Sequence, residues 1–206
     1  LLEDGRLPTD ADSAYASVAA RWGKTYERRG DERPCDAVRR LGLACLPRRG
    51  TSSLVRQFDV PVVVETASST GARHYFALSS LDSDRATLDF GAQRETVSIH
   101  DLEADWDGSF IVLWKPPRAS VDPITPGSRS GDVVWLRQGF AMLDGQPAPT
   151  PPVSRLYDDA LAARVVAFQR AHRLAADGIV GAETFAMLTA RIDSTTPSLA
   201  RPRTGS

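Results

Sequence analysis

The chain has 206 residues, 42% of them hydrophobic and 25% charged, which fits a globular protein of one or two domains. Its 25 basic and 26 acidic residues almost cancel and are scattered, so nothing marks an electrostatic footprint for nucleic acid. No apolar run approaches the roughly 18 residues that a spanning helix requires, so this stretch itself is expected to make no membrane contact.

In chain order, Asp10 to Trp22 places Ala14, Tyr15, Val18, Ala19 and Trp22 at helical spacing, and Gly23 is placed to end that helix. Cys35 to Leu41 after Pro34 reads as a short helix closed by Gly42, and Ser52 to Phe58 as another. The period then changes. Val62 to Val64, Tyr75 to Leu78, Thr87 to Phe90, Arg94 to Ile99 and Phe110 to Trp114 read as strands, with a short helix from Asp101 to Trp106. Helices followed by strands predict an α+β domain whose sheet is antiparallel.

Lys115-Pro116-Pro117 through Pro126-Gly127 breaks the pattern and sets a domain boundary. Beyond it, Asp132 to Leu143, Asp158 to His172 and Ala182 to Arg191 carry helical periodicity, so three helices on one small core are expected. The expected organisation is an α+β domain over 1–117, a linker over 118–130, a helical domain over 131–192 and a disordered tail over 193–206. Cys35 and Cys45 match no zinc or redox spacing. They are either a structural disulfide of an oxidising compartment or two separate buried thiols. No metal or cofactor is expected. The chain opens at Leu1 without an initiator Met or a signal-peptide pattern, as a piece of a longer exported or anchored protein would.

Val165-Val166-Ala167-Phe168-Gln169, then Leu174-x-x-Asp177-Gly178-x-x-Gly181, then Thr184 and Leu188 form the most specific stretch. With Gly131-x-x-Val134-x-Leu136 and Tyr157-Asp158 upstream, it resembles the common peptidoglycan-binding domain from Gly131 to Arg191. The resemblance makes Tyr157, Phe168, Asp177, Gly178, Gly181 and Thr184 motif residues of the fold. Asp177, Gly178 and Gly181 also suit a sharp reversal before the last helix. Arg173 stands where that family commonly has Gly, and the first connection is longer and richer in proline. A site for glycan and stem peptide needs Arg and amide donors. Arg137, Gln169 and Arg173 are the candidates, against the plainer reading of a solvated helix face.

In the first domain, Pro61 to Val64, His74 to Ala77, Leu88 to Gly91 and Trp106-x-Gly108-x-Phe110-x-Val112-Leu113 are similar in order to the papain-like peptidases that process bacteriocin leaders. That resemblance places His74 and Asp89 at the His and Asp positions of a Cys-His-Asp triad. The nucleophile belongs near Asp10 to Ser13, where no cysteine stands. The two positions therefore read as vestigial and the domain as non-enzymatic. The alternatives are a cysteine or serine hydrolase using His74 and Asp89, or a purely protein-binding adaptor.

The peptidase-like domain with its Cys-x9-Cys pair, the Leu113-Trp114-x-Pro116-Pro117 exit and the wall-binding module together resemble the periplasmic region of the A proteins of the type II general secretion pathway. That resemblance implies a periplasmic location, an inner-membrane anchor and an ATPase upstream, and peptidoglycan as ligand. It also implies a B-type partner in placing the outer-membrane secretin, with self-association left open.

Overall fold

Asp10 starts the first helix, α1 (Ala11–Arg21), because its carboxylate accepts the backbone N–H of Ser13 at 2.9 Å and supplies one of the partners that a helix N-terminus lacks. The apolar positions Ala14, Tyr15, Val18 and Ala19 are all buried on one side of it. Two short helices follow, α2 (Pro34–Arg40) and α3 (Ser52–Phe58), with strand β1 (Ala44–Arg49) between them. Next come β2 (Val62–Ala67), β3 (Arg73–Leu81), β4 (Arg85–Phe90), β5 (Gln93–Ser98), α4 (Ile99–Asp105) and β6 (Ser109–Trp114). The computed structural model describes residues 7–68, 71–118 and 122–199.

The six strands form one sheet in the order β1-β6-β2-β3-β4-β5, with every neighbouring pair antiparallel. Val63 pairs with Ala77 and, on its other side, with Ile111; these residues face α1 and α2. One step along each strand, Val62, Val64, Phe76 and Val112 turn to the opposite face, because side chains alternate along a strand. There Phe110 meets Phe58 of α3 and Trp106 edge-on. The mixed α+β class with an antiparallel sheet is as the sequence predicts, and so is the leading helix packed against it. The strand β1 is not foreseen. Pro47 lies within it, which an edge strand tolerates because its outer N–H would be unpaired in any case.

The chain divides into two units: residues 1–115 with 195–206, and Pro116–Ser194. The second unit holds α5 (Gly131–Leu143), α6 (Asp159–Ala171) and α7 (Ala182–Ile192), the three expected helices. Val133, Leu136, Val165, Phe168, Phe185 and Leu188 fill its core.

Two boundaries differ from expectation. Residues 122–130 are not a free linker. Ile124 is buried and pairs with Val180, and Arg129 pairs with Leu156, so this segment belongs to the helical unit. The tail is not disordered throughout either. Leu199 is buried, its N–H reaches the Asp59 carbonyl and its carbonyl accepts Leu81 N–H, which anchors it on the first unit. Residues 119–121 of the expected linker and 200–206 of the expected tail lie outside the described residues, as do 1–6 and 69–70 of the first domain.

Candidate functional site

The turn between α6 and α7 is organised by Gln169. Its position four residues after Val165 puts it on the buried face of α6, where it is 1% exposed. Its amide nitrogen donates to the Ile179 carbonyl at 2.9 Å and lies 3.3 Å from both Asp177 Oδ1 and Thr184 Oγ1. Its oxygen accepts Gly178 N–H at 2.9 Å. Asp177 Oδ1 also accepts Ile179 N–H at 2.8 Å, which tightens the reversal. Gly178 sits at φ 73°, a conformation that favours glycine. The Tyr157 hydroxyl donates to the Gly178 carbonyl at 2.5 Å, and burial pushes its phenol up to about 12, so it stays a donor. Phe168 packs edge-on against Phe140, and Gly181 caps α7. The six motif residues thus share one architectural task.

These contacts take Gln169 out of the ligand-contact set, since its polar atoms are buried and engaged. Arg173 is exposed and lies just past the end of α6 at φ 52°, the left-handed region that a glycine would occupy at lower cost. It is not among the residues that line the groove of this unit.

Arg137 is. An open cleft of about 470 Å³ lies between α5, α6 and the proline-rich connection, with Arg137, Phe140, Pro149, Pro152, Ser154 and Arg164 among its lining residues. That volume falls within the roughly 300–1,000 Å³ of ordinary ligand sites. Asp158 caps α6 by accepting Leu161 N–H at 3.0 Å and pairs with Arg137 at 2.6 Å. The first contact and then the second hold its carboxyl below the usual range. Arg137 also donates to the Leu156 carbonyl at 2.8 Å, while its Nε is buried without a partner among the described residues. Arg164 lies over the Phe140 ring at 4.8 Å and pairs with Asp144. Two guanidiniums, two prolines and the hydroxyls of Thr150 and Ser154 around one opening offer charge-assisted donors beside apolar walls. Sequence reasoning missed Arg164, because nothing in the helix pattern says that the connection folds back over it.

In the first unit, the two expected triad positions are not brought together. Asp89 pairs with Ala77 across the β3–β4 ladder and therefore shares its face, whereas His74, three residues from Ala77 on β3, points to the other face. His74 Nδ1 is bonded to Thr9 Oγ1 at 2.9 Å. Asp89 is buried and bound by Arg94 at 2.7 Å and Arg21 at 2.9 Å. Burial alone would raise its pKa, but the hydrogen bonds from Arg94, Arg21 and Ser79 outweigh it and hold the carboxyl below its ordinary value. Ser13 is tied to Asp10, its hydroxyl donating to the carboxylate at 2.7 Å. Cys35 and Cys45 form a disulfide with Cα atoms 5.8 Å apart. Among the described residues, no group of three or more His, Cys, Asp or Glu side chains is placed to hold a metal ion.

The first unit is thus an antiparallel α+β domain, and the second belongs to the class of three-helix units built around a Gln-bridged Asp-Gly turn. Residues 129–188 match the family described as "Putative peptidoglycan binding domain". Over most of its length the chain is similar to "General secretion pathway protein A" of Aeromonas hydrophila, 28% identical over 92% of this chain and 34% of that protein. It is likewise similar to "Putative general secretion pathway protein A" of Escherichia coli (strain K12), 28% identical over 81% of this chain and 33% of that protein. The chain thus spans about a third of the length of these relatives. Among solved structures, a periplasmic domain of the EpsAB fusion protein of the Vibrio vulnificus type II secretion system shares the fold. The TM-score is 0.60 at 22% identity, over 95% of this chain and 85% of that one.

Proposed function

We propose that this chain works in the periplasm as part of a type II secretion assembly protein, that its helical unit holds peptidoglycan, and that its first unit is a non-catalytic scaffold. One observation carries the reading. The stretch matching the peptidoglycan-binding family, 129–188, lies inside a unit with its own core, and that unit bears an open cleft with two guanidiniums. Stem-peptide carboxylates and N-acetyl sugars supply the acceptors and apolar faces that such a cleft takes. The solved relative is a fusion designated EpsAB, which supports a B-type partner as the second contact of the protein. The relatives named for the general secretion pathway support a role in secretion assembly.

The opposite sheet faces of His74 and Asp89 count against the rival reading, a hydrolase that uses the two together. A purely protein-binding adaptor would capture a secretion partner yet ignore wall material.

The test is sedimentation with purified peptidoglycan sacculi. The intact chain is expected in the pellet, and the double variant Arg137→Ala/Arg164→Ala is expected to bind about 10-fold or more weakly, the scale of losing charge-assisted hydrogen bonds. An intact chain that stays in the supernatant overturns the function. Equal pelleting of intact and variant chains leaves the function standing and removes the cleft.

A further inference from the structure

The first unit contains a second recess, used neither by the wall-binding reading nor by the triad positions. It lies beneath α4, with Phe76, Leu88, Phe90 and Val97 of the sheet on one side and Leu102 and Trp106 on the other. Its origin is geometric. The helix α4 has seven residues and buries only Leu102, so it is too short to cover the aromatic end of β3 and β4. The recess measures about 150 Å³. A largely apolar recess of that size has room for a benzene-sized guest, and while it is unfilled its lining rings forgo dispersion contacts.

The mouth has a definite sign. Asp101 and Asp105, one turn apart on α4, are the only charged side chains among the described residues that line it. Neither carboxylate takes part in an ion pair or side-chain hydrogen bond with another described residue. Three aromatic side chains, Phe76, Phe90 and Trp106, line the same recess.

We propose that this recess is a docking site for a partner protein segment that presents one phenylalanine-sized side chain flanked by lysine or arginine. The ring fills the recess and the flanking cations pair with Asp101 and Asp105. The inference does not depend on wall binding, because it concerns the other unit and the opposite ligand charge.

The full chain is titrated with three peptides, acetyl-Lys-Phe-Lys-Lys-amide, acetyl-Glu-Phe-Glu-Glu-amide and acetyl-Lys-Ala-Lys-Lys-amide, while the Trp106 indole N–H is followed by NMR. The first peptide is expected to shift that signal saturably. The alanine peptide is expected to bind about 10-fold or more weakly, from the apolar area it lacks, and the acidic peptide weaker still. The variant Asp101→Asn/Asp105→Asn, altered only at exposed positions, is expected to lose about fivefold toward the first peptide, the scale of exposed ion pairs. Leu102→Trp, which fills the recess, is expected to abolish the response. Equal affinity for acidic and basic peptides overturns the proposal, as does no saturable shift up to about 10 mM, a range in which single-anchor contacts register. A concentration-dependent Trp106 shift without peptide overturns it in favour of a second copy of this chain.

Discussion

Replacing Gln169 by leucine keeps much of the side-chain volume on the buried face of α6 and removes all of its hydrogen bonding. Two contacts at 2.9 Å disappear, to Gly178 N–H and to the Ile179 carbonyl, along with two longer ones at 3.3 Å. Gly178 is buried, so water cannot replace the lost acceptor. An orphaned buried donor costs about 1–3 kcal/mol and each further lost bond about 0.5–1.5 kcal/mol. The expected loss is about 3 kcal/mol, which in a unit of this size lowers the melting temperature by about 15 °C. The chain has two units, so a single bulk transition does not isolate the effect. Hydrogen exchange across α6, the turn and α7 does, read as amide protection against temperature. A drop under about 3 °C with unchanged protection of Gly178 would refute the reasoning. So would a variant that keeps its stability yet no longer pellets with sacculi, because Gln169 would then be a ligand contact after all.

Removing the disulfide by Cys35→Ser/Cys45→Ser is expected to cost about 3 kcal/mol in the loop-entropy account, seen as a lower denaturation midpoint of the first unit. Asp89→Asn is expected to cost about 2 kcal/mol at pH 7, because two arginines lose a buried anion. The Asp89 carboxyl is held below its ordinary 3.8, so its contribution is full above that value and fades as pH falls through the lowered one. Urea midpoints of the two proteins should therefore converge below about pH 4. Arg173→Gly is expected to raise the stability of the second unit by about 1 kcal/mol, from relief of the left-handed backbone, with sacculus retention unchanged; a lower melting temperature would show that Arg173 makes contacts that outweigh the strain.

Much of this was legible in the residues. The unbroken apolar runs Val62 to Val64 and Phe110 to Trp114 mark strands that pack on both faces, and Ser52–Phe58 is bounded as a helix by the turn residues around it. The burial of Gln169 was also within reach, since its spacing from Val165 places it on the apolar face; chemistry that looked suited to a ligand hid that geometry. Other features were not readable. The faces of His74 and Asp89 depend on how β3 and β4 align, and register is set by partners distant in sequence. Pro47 hid β1 because proline argues against a strand unless the strand is known to lie at an edge. The packing of Ile124 against the helical unit rests on one bridge to Val180, far along the chain. Arg164 joins the cleft only because the connection from Gln146 onward folds beside α6.

The anchoring of Leu199 bears on the order in which the molecule can be finished. The first unit takes its last described piece from beyond Ser194, so during synthesis or export it waits for all of the second unit to emerge before Leu81 and Asp59 meet their late partners. A chain stopped short of that point would leave the helices and strands of the first unit in place with an open apolar socket on them. A trimmed version should therefore be recognisable by its stickiness before any loss of secondary structure.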